Sequence, residues 1–234
     1  MNIVVTGASR GIGREIVLGF LKSTGNKVLA ISRNAAMLSD LQKTTEAKGF
    51  TSKPDVLSMD ITSDSDVAVL HDYLLENYRH SDVLINNAGL LINKAVGEFS
   101  AVDFDRTMAV NFKAPFFLVQ SLSGLFSSPS HIVNIGSMGG YQSSAKFPGM
   151  SVYSASKAAL AIFSECLAEE WKDRGVSVNT LALGAVNTEM LREAFPAYKA
   201  PVSAAEMASF IIDFAINGNK FFNGKVIPVS SSTP

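Results

Sequence analysis

Ile3-Val4-Val5-Thr6-Gly7-Ala8-Ser9-Arg10-Gly11-Ile12-Gly13 decides the fold of this chain. The first residues read as a buried strand and the glycines at 7, 11 and 13 as a turn. Ile12, Ile16 and Phe20 then recur at intervals of four, one apolar stripe of a helix that Gly25-Asn26 closes. A strand that runs through a tight turn into an amphipathic helix is the opening of a βαβ unit.

Outward from that stretch the alternation repeats. Short apolar runs at 3–6, 27–32, 53–59, 83–86, 131–135, 177–183 and 225–229 alternate with helical periodicity over 35–48, 64–78, 101–126, 152–174 and 203–217. Near-continuous apolar strands separated by helices imply a parallel sheet covered on both faces. The expected architecture is α/β: a Rossmann-type doubly wound parallel sheet of about seven strands, in one domain over residues 1–234.

With 47% hydrophobic and 18% charged residues and a formal net charge of -1, neither disorder nor a polyanion-binding surface is indicated, so no nucleic-acid partner is expected. No apolar run reaches the roughly 18 residues of a membrane span. Cys166 is the single cysteine, unable to form an internal disulfide, and its apolar helical surroundings read as those of a small buried hydrophobe. A soluble, unprocessed, cytoplasmic protein is expected. His71, His80 and His131 follow no ligand spacing, so no metal site is expected.

The glycine turn lies where a backbone must approach phosphate oxygens, which suits a dinucleotide pyrophosphate at a helix N-terminus. About 20 residues on, where an acid would bind the ribose 2′-hydroxyl of NAD, the second strand ends at Ile31-Ser32-Arg33. Arg33, with Arg10 from the turn, instead suits the 2′-phosphate of NADP. Tyr153 and Lys157 are four apart, on one helix face. A cation so placed favours ionisation of the phenol, making Tyr153 a candidate proton donor and acceptor.

These residues resemble the short-chain dehydrogenase/reductase family over nearly the whole chain. Residues 6–13 match its T-G-x-x-x-G-x-G, Asn86-Asn87-Ala88-Gly89 its N-N-A-G, and Tyr153 with Lys157 its Y-x-x-x-K. Asn111 matches its helix asparagine, Ser137 its serine at a strand end, and Asp60 a residue that contacts adenine. The resemblance implies an NADP-dependent oxidoreductase that reduces a ketone or aldehyde, or runs the reverse reaction. It implies catalytic roles for Asn111, Ser137, Tyr153 and Lys157, with Asn111 ordering a water in a proton path through Lys157. The implied cofactor residues are Gly7, Ser9, Arg10, Gly11, Ile12, Gly13, Arg33, Asp60, Ile61, Asn87, Ala88, Gly89, Gly184, Val186 and Thr188, together with Tyr153 and Lys157. A homodimer or homotetramer through the helices near 101–126 and 152–174 is also implied.

Three departures stand out. Leu183-Gly184 replaces the family's Pro-Gly, 16 positions separate Ser137 from Tyr153, and about fifteen residues separate Thr188 from the next helix near Ser203. The two loops, 138–150 and 190–202, are expected to form the substrate pocket. Their apolar side chains suit a hydrophobic carbonyl compound, whereas Lys146 or Lys199 would receive an acidic group. A non-catalytic nucleotide-sensing module on the same fold is the alternative from another class. The intact Tyr153, Lys157, Ser137 and Asn111 speak against it. A sugar-nucleotide dehydratase or epimerase needs a larger substrate region.

Overall fold

A computed structural model describes residues 1–230. The first half runs β1 (Asn2–Thr6), α1 (Gly11–Leu21), β2 (Lys27–Ser32), α2 (Ala35–Ala47), β3 (Asp55–Ser58), α3 (Asp64–Asn77) and β4 (Val83–Asn86). The second runs α4 (Ala101–Met108), α5 (Ala114–Ser121), β5 (Ser130–Ile135), α6 (Ser151–Glu170), β6 (Val176–Leu183), β7 (Val186–Asn187), α7 (Glu189–Ala194), β8 (Val202–Ser203), α8 (Ala204–Asn217) and β9 (Val226–Val229).

Seven of these strands form one parallel sheet in the order β3-β2-β1-β4-β5-β6-β9. The order reverses beside β1, so the crevice opens at the carboxyl ends of β1 and β4, where the glycine turn emerges. On one face Ile16, Val17 and Phe20 of α1 and Ile211 and Phe214 of α8 pack onto Val5, Ile85 and Val133. On the other, Leu70 and Leu74 of α3, Leu118 of α5 and Leu167 of α6 pack onto Val4, Leu84 and Ile132. Each fully buried side chain of this size contributes about 2 kcal/mol of transfer free energy, which is why the strands carry so few charges.

Several expectations are corrected. The third strand is shorter than 53–59, because Pro54 has no N–H for the ladder. The helix expected over 101–126 is divided by a wide π-turn at Ala109–Lys113, in which the Ala114 N–H reaches Ala109 O. Pro115 one residue later has no N–H to offer the Asn111 carbonyl, so the tighter bonding is lost at this point. A separate two-stranded parallel pair, Val186 beside Val202 and Asn187 beside Ser203, was not foreseen and closes the base of the loop 188–201.

Cys166 is exposed, not buried. The outward face of α6 is itself apolar, with Ile162 58% exposed, so apolar neighbours in sequence did not mean burial. Among the described residues no helix is long and apolar enough to cross a membrane, and no cluster of ligating side chains is arranged to hold a metal ion.

Candidate active site

The site begins at the turn between β1 and α1. Gly7 and Gly11 have φ of +67° and +55°, conformations that favour glycine. A Cβ at Gly13 would lie 2.3 Å from Gly7 O and 2.4 Å from Asn87 Nδ2, so the helix can start this close to the turn only without a side chain there. Asn87 ties the turn to β4: its Nδ2 donates to Thr6 O at 3.0 Å and to Gly7 O at 3.2 Å. The Thr6 hydroxyl in return accepts the N–H groups of Asn87 and Ala88, each at 3.1 Å.

One continuous cavity of about 750 Å³ runs from this turn along the carboxyl ends of the strands. Gly7, Ser9, Arg10, Gly11, Ile12, Arg33, Asp60, Ile61, Asn87, Ala88, Gly89, Gly184, Val186 and Thr188 line it, together with Ser137, Tyr153 and Lys157. Gly13 and Asn111 do not line it and act from behind the wall. Ser9 is buried and accepts a bond from the Ser32 hydroxyl at 2.8 Å, closing the end at which β2 stops. Thr188 caps α7 by accepting Leu191 N at 3.3 Å, and its methyl group approaches Gly11.

The two arginines have carboxylate neighbours that the sequence did not reveal. Arg33 is 70% exposed with Asp60 at 3.9 Å. Arg10 donates to Glu193 of α7 at 2.9 Å. The residues fit a dinucleotide nonetheless: the bare glycine turn offers backbone N–H groups at the start of α1, Arg33 stands where β2 stops, and Arg10 lines the same cavity from the turn.

At the other end, α6 presents Tyr153 in its first turn and Lys157 one turn later. Lys157 Nζ donates to Ile135 O at 2.8 Å and sits 6.0 Å from the centre of the Tyr153 ring. Burial pushes the Lys157 ammonium down to about 8. Burial also pushes the Tyr153 phenol above its ordinary range, with a hydrogen bond to Ser137 pulling weakly the other way. The expected ionisation of the phenol by Lys157 is therefore corrected for the protein alone. Desolvation outweighs the hydrogen bond to Ser137, and Tyr153 is held as a neutral acid.

Ser137, two residues beyond β5, accepts Gly139 N with its hydroxyl at 3.1 Å, so it both caps the following turn and meets the phenol. Asn111 is fully buried in the π-turn. It accepts Leu90 N at 2.8 Å and donates to Leu90 O and to the Ser156 hydroxyl, both at 2.9 Å. It thus braces the segment after Gly89 against α6, and Ser156 is a partner that sequence spacing gave no reason to single out. Lys157 Nζ and Asn111 Oδ1 both converge on Gly89. Of the two lysines considered for an acidic substrate, Lys146 donates to Tyr141 O and the Ser144 hydroxyl, and neither it nor Lys199 lines the cavity.

Known proteins agree with this geometry. The family model described as short chain dehydrogenase matches residues 1–199. An L-xylulose reductase of Caenorhabditis elegans is 36% identical over 195 residues, covering 82% of this chain and 74% of that protein. A gluconate 5-dehydrogenase of Gluconobacter oxydans is 36% identical over 192 residues, covering 80% and 72%. A crystal structure of a short chain dehydrogenase from Burkholderia cenocepacia, in complex with NADP, superposes with a TM-score of 0.87 at 25% identity, covering 99% of this chain and 96% of that one. The chain belongs to the short-chain dehydrogenase/reductase family and is an oxidoreductase that works with a nicotinamide cofactor.

Proposed function

We propose that this member of the short-chain dehydrogenase/reductase family is an NADPH-preferring enzyme that interconverts a carbonyl group and an alcohol. One observation carries the reading: Ser137, Tyr153 and Lys157 meet at one end of the same cavity whose other end is the glycine turn. A nicotinamide dinucleotide bound along that cavity supplies or accepts the hydride. The residues of the chain do the rest. The neutral Tyr153 phenol gives its proton to the carbonyl oxygen as the alcohol forms, and the Ser137 hydroxyl holds that oxygen. Lys157 stabilises the negative charge left on Tyr153 and reaches a ribose hydroxyl. Asn111 keeps the Gly89 segment and α6 at the spacing this relay needs, and orders a water in the path from Lys157.

Arg10 and Arg33 support NADPH over NADH, through charge-assisted bonds to a 2′-phosphate. The apolar outer faces of α4, α5 and α6, with exposed Val102, Phe104, Phe117 and Ile162, support a homodimer or homotetramer formed through these helices. One catalytic domain, a cytoplasmic setting and a small-molecule substrate complete the reading. No nucleic-acid or membrane partner belongs to it. The test is a steady-state panel of ketones, aldehydes and alcohols with NADPH and NADH side by side. Turnover that disappears in Tyr153→Phe supports the reading; cofactor binding without turnover of any compound would favour a nucleotide-sensing module.

A further inference from the structure

The end of the cavity around Tyr153 is walled by three chain segments that are stitched together. Lys94 N donates to Gly149 O at 3.1 Å, and Asn93 Nδ2 donates to Ala194 O at 3.2 Å. The segment after β4, the loop before α6 and the end of α7 are thereby held as one wall. Into the cavity they turn Leu91, Phe147, Met150, Met190 and Phe195, and Met138 follows Ser137.

We propose that the substrate is an uncharged, predominantly apolar ketone or aldehyde, neither a sugar nor a sugar acid, selected by Leu91, Met138, Phe147, Met150, Met190 and Phe195. The assignment rests on the carbonyl-reduction reading above. It follows from what the wall lacks as well as from what it holds. Ser137 and Tyr153 supply hydroxyls for a single oxygen, the reacting one. The remaining polar lining belongs mainly to the glycine turn, the strand ends and the start of α7, and Tyr198 is half exposed at the mouth. A polyhydroxylated chain would bury further hydroxyls against thioether and phenyl groups, each costing at least about fivefold in binding.

A substrate carboxylate fares no better. Among the described residues, the cations that line the cavity are Arg10 and Arg33 at the turn and Lys157, whose ammonium is bonded to Ile135 O. Lys94 borders an adjoining, more open hollow and is engaged by Asp103 at 2.6 Å. Glu193, beside the same hollow, is already paired with Arg10 at 2.9 Å, and Glu189, close to Gly11, lines the cavity as a carboxylate.

The test uses NADPH and a matched panel of equal carbon number: straight-chain and aryl ketones, 2-keto acids and ketoses. For the neutral ketones kcat/KM should rise about three- to fourfold per added methylene until the wall is filled. Keto acids and ketoses should fall at least tenfold below them. Calorimetry on the NADPH-loaded Tyr153→Phe protein should give the same order in Kd, independently of turnover. Phe147 is 47% exposed at the rim, so Phe147→Arg should fold and raise keto-acid over ketone preference at least tenfold; Phe195→Ala should flatten the methylene series. A ketose or keto acid preferred over its neutral counterpart overturns this assignment and leaves carbonyl reduction standing. No turnover of any compound, with NADPH still bound, overturns carbonyl reduction and this assignment with it.

Discussion

The Arg10 guanidinium and the Glu193 carboxylate are paired at 2.9 Å across 183 residues of sequence, joining the glycine turn to α7. Both groups are largely exposed, so the pair is worth at most about 1 kcal/mol. That is little compared with a charge-assisted bond to phosphate, which is worth about 1.5–3 kcal/mol. A 2′-phosphate should therefore displace Glu193 from Arg10. NADPH is expected to bind at least tenfold more tightly than NADH, and Arg33→Asp to reverse the order. Glu193→Gln should tighten NADPH by up to about fivefold and leave NADH unchanged. Fluorescence titration with both cofactors checks all three; equal affinities in the unmodified protein would remove the arginines from the 2′ site.

Tyr153→Phe keeps the ring and removes the proton. Turnover should fall by about 10²- to 10⁴-fold, with cofactor affinity kept. Near-normal turnover by the variant on a true substrate would show that the proton comes from elsewhere.

The pH profile should identify Lys157. Burial lowers its pKa to about 8 while raising that of Tyr153, so the lysine is the first of the two to deprotonate as pH rises. Reduction should be full below about pH 8 and decline above it, because the cation beside the phenol is then lost. Lys157→Arg, which stays charged, should lose this alkaline limb even if its rate is lower. A limb left in place by the substitution assigns it to another group.

Stability has its own titrating group. His131 is buried, with Nδ1 donating to Ala215 O at 3.0 Å and Nε2 accepting from Asn179 at 3.0 Å. Burial pushes its pKa down from 6.5 to about 4. The unfolded chain thus binds a proton between about pH 6.5 and 4 that the folded protein refuses. Stability is full above pH 6.5 and is lost as pH falls towards 4, by about 3 kcal/mol at most. Thermal melts across this range should show a steeper loss in the unmodified protein than in His131→Gln.

Gly13→Ala should damage the turn. Its methyl group would meet Gly7 O and Asn87 Nδ2, and backbone has little room to yield. Cofactor affinity should drop at least tenfold and the melting temperature by several degrees. A fully active Gly13→Ala enzyme would mean that α1 moves away from the turn more readily than its packing implies.

What was legible in sequence was local. The glycine spacing, the four-residue step from Tyr153 to Lys157 and the alternation of strands and helices all arise from neighbours along the chain. Ser203 with Glu206 likewise forms a capping box at the start of α8, where a helix was expected. The rest depends on distant partners. Nothing near Arg10 announces Glu193, nothing near Asn93 announces Ala194, and Ser156 becomes visible as a brace only once Asn111 is placed beside it. Pro115 was a local clue to the π-turn that the helical periodicity masked. Cys166 shows the limit of composition: an apolar helix face can look outward, and only packing tells which face is which.

The pairing of Val186 with Val202 and of Asn187 with Ser203 gives residues 188–201 the character of an exchangeable cassette. The two ends of the segment are fixed to each other by backbone bonds that make no demand on the side chains between them. Even a doubling of its length would add only about 0.6 kcal/mol of closure entropy. Selectivity can therefore be rewritten between Met190 and Pro201 while Thr188, the glycine turn, Ser137 and Tyr153 stay where they are.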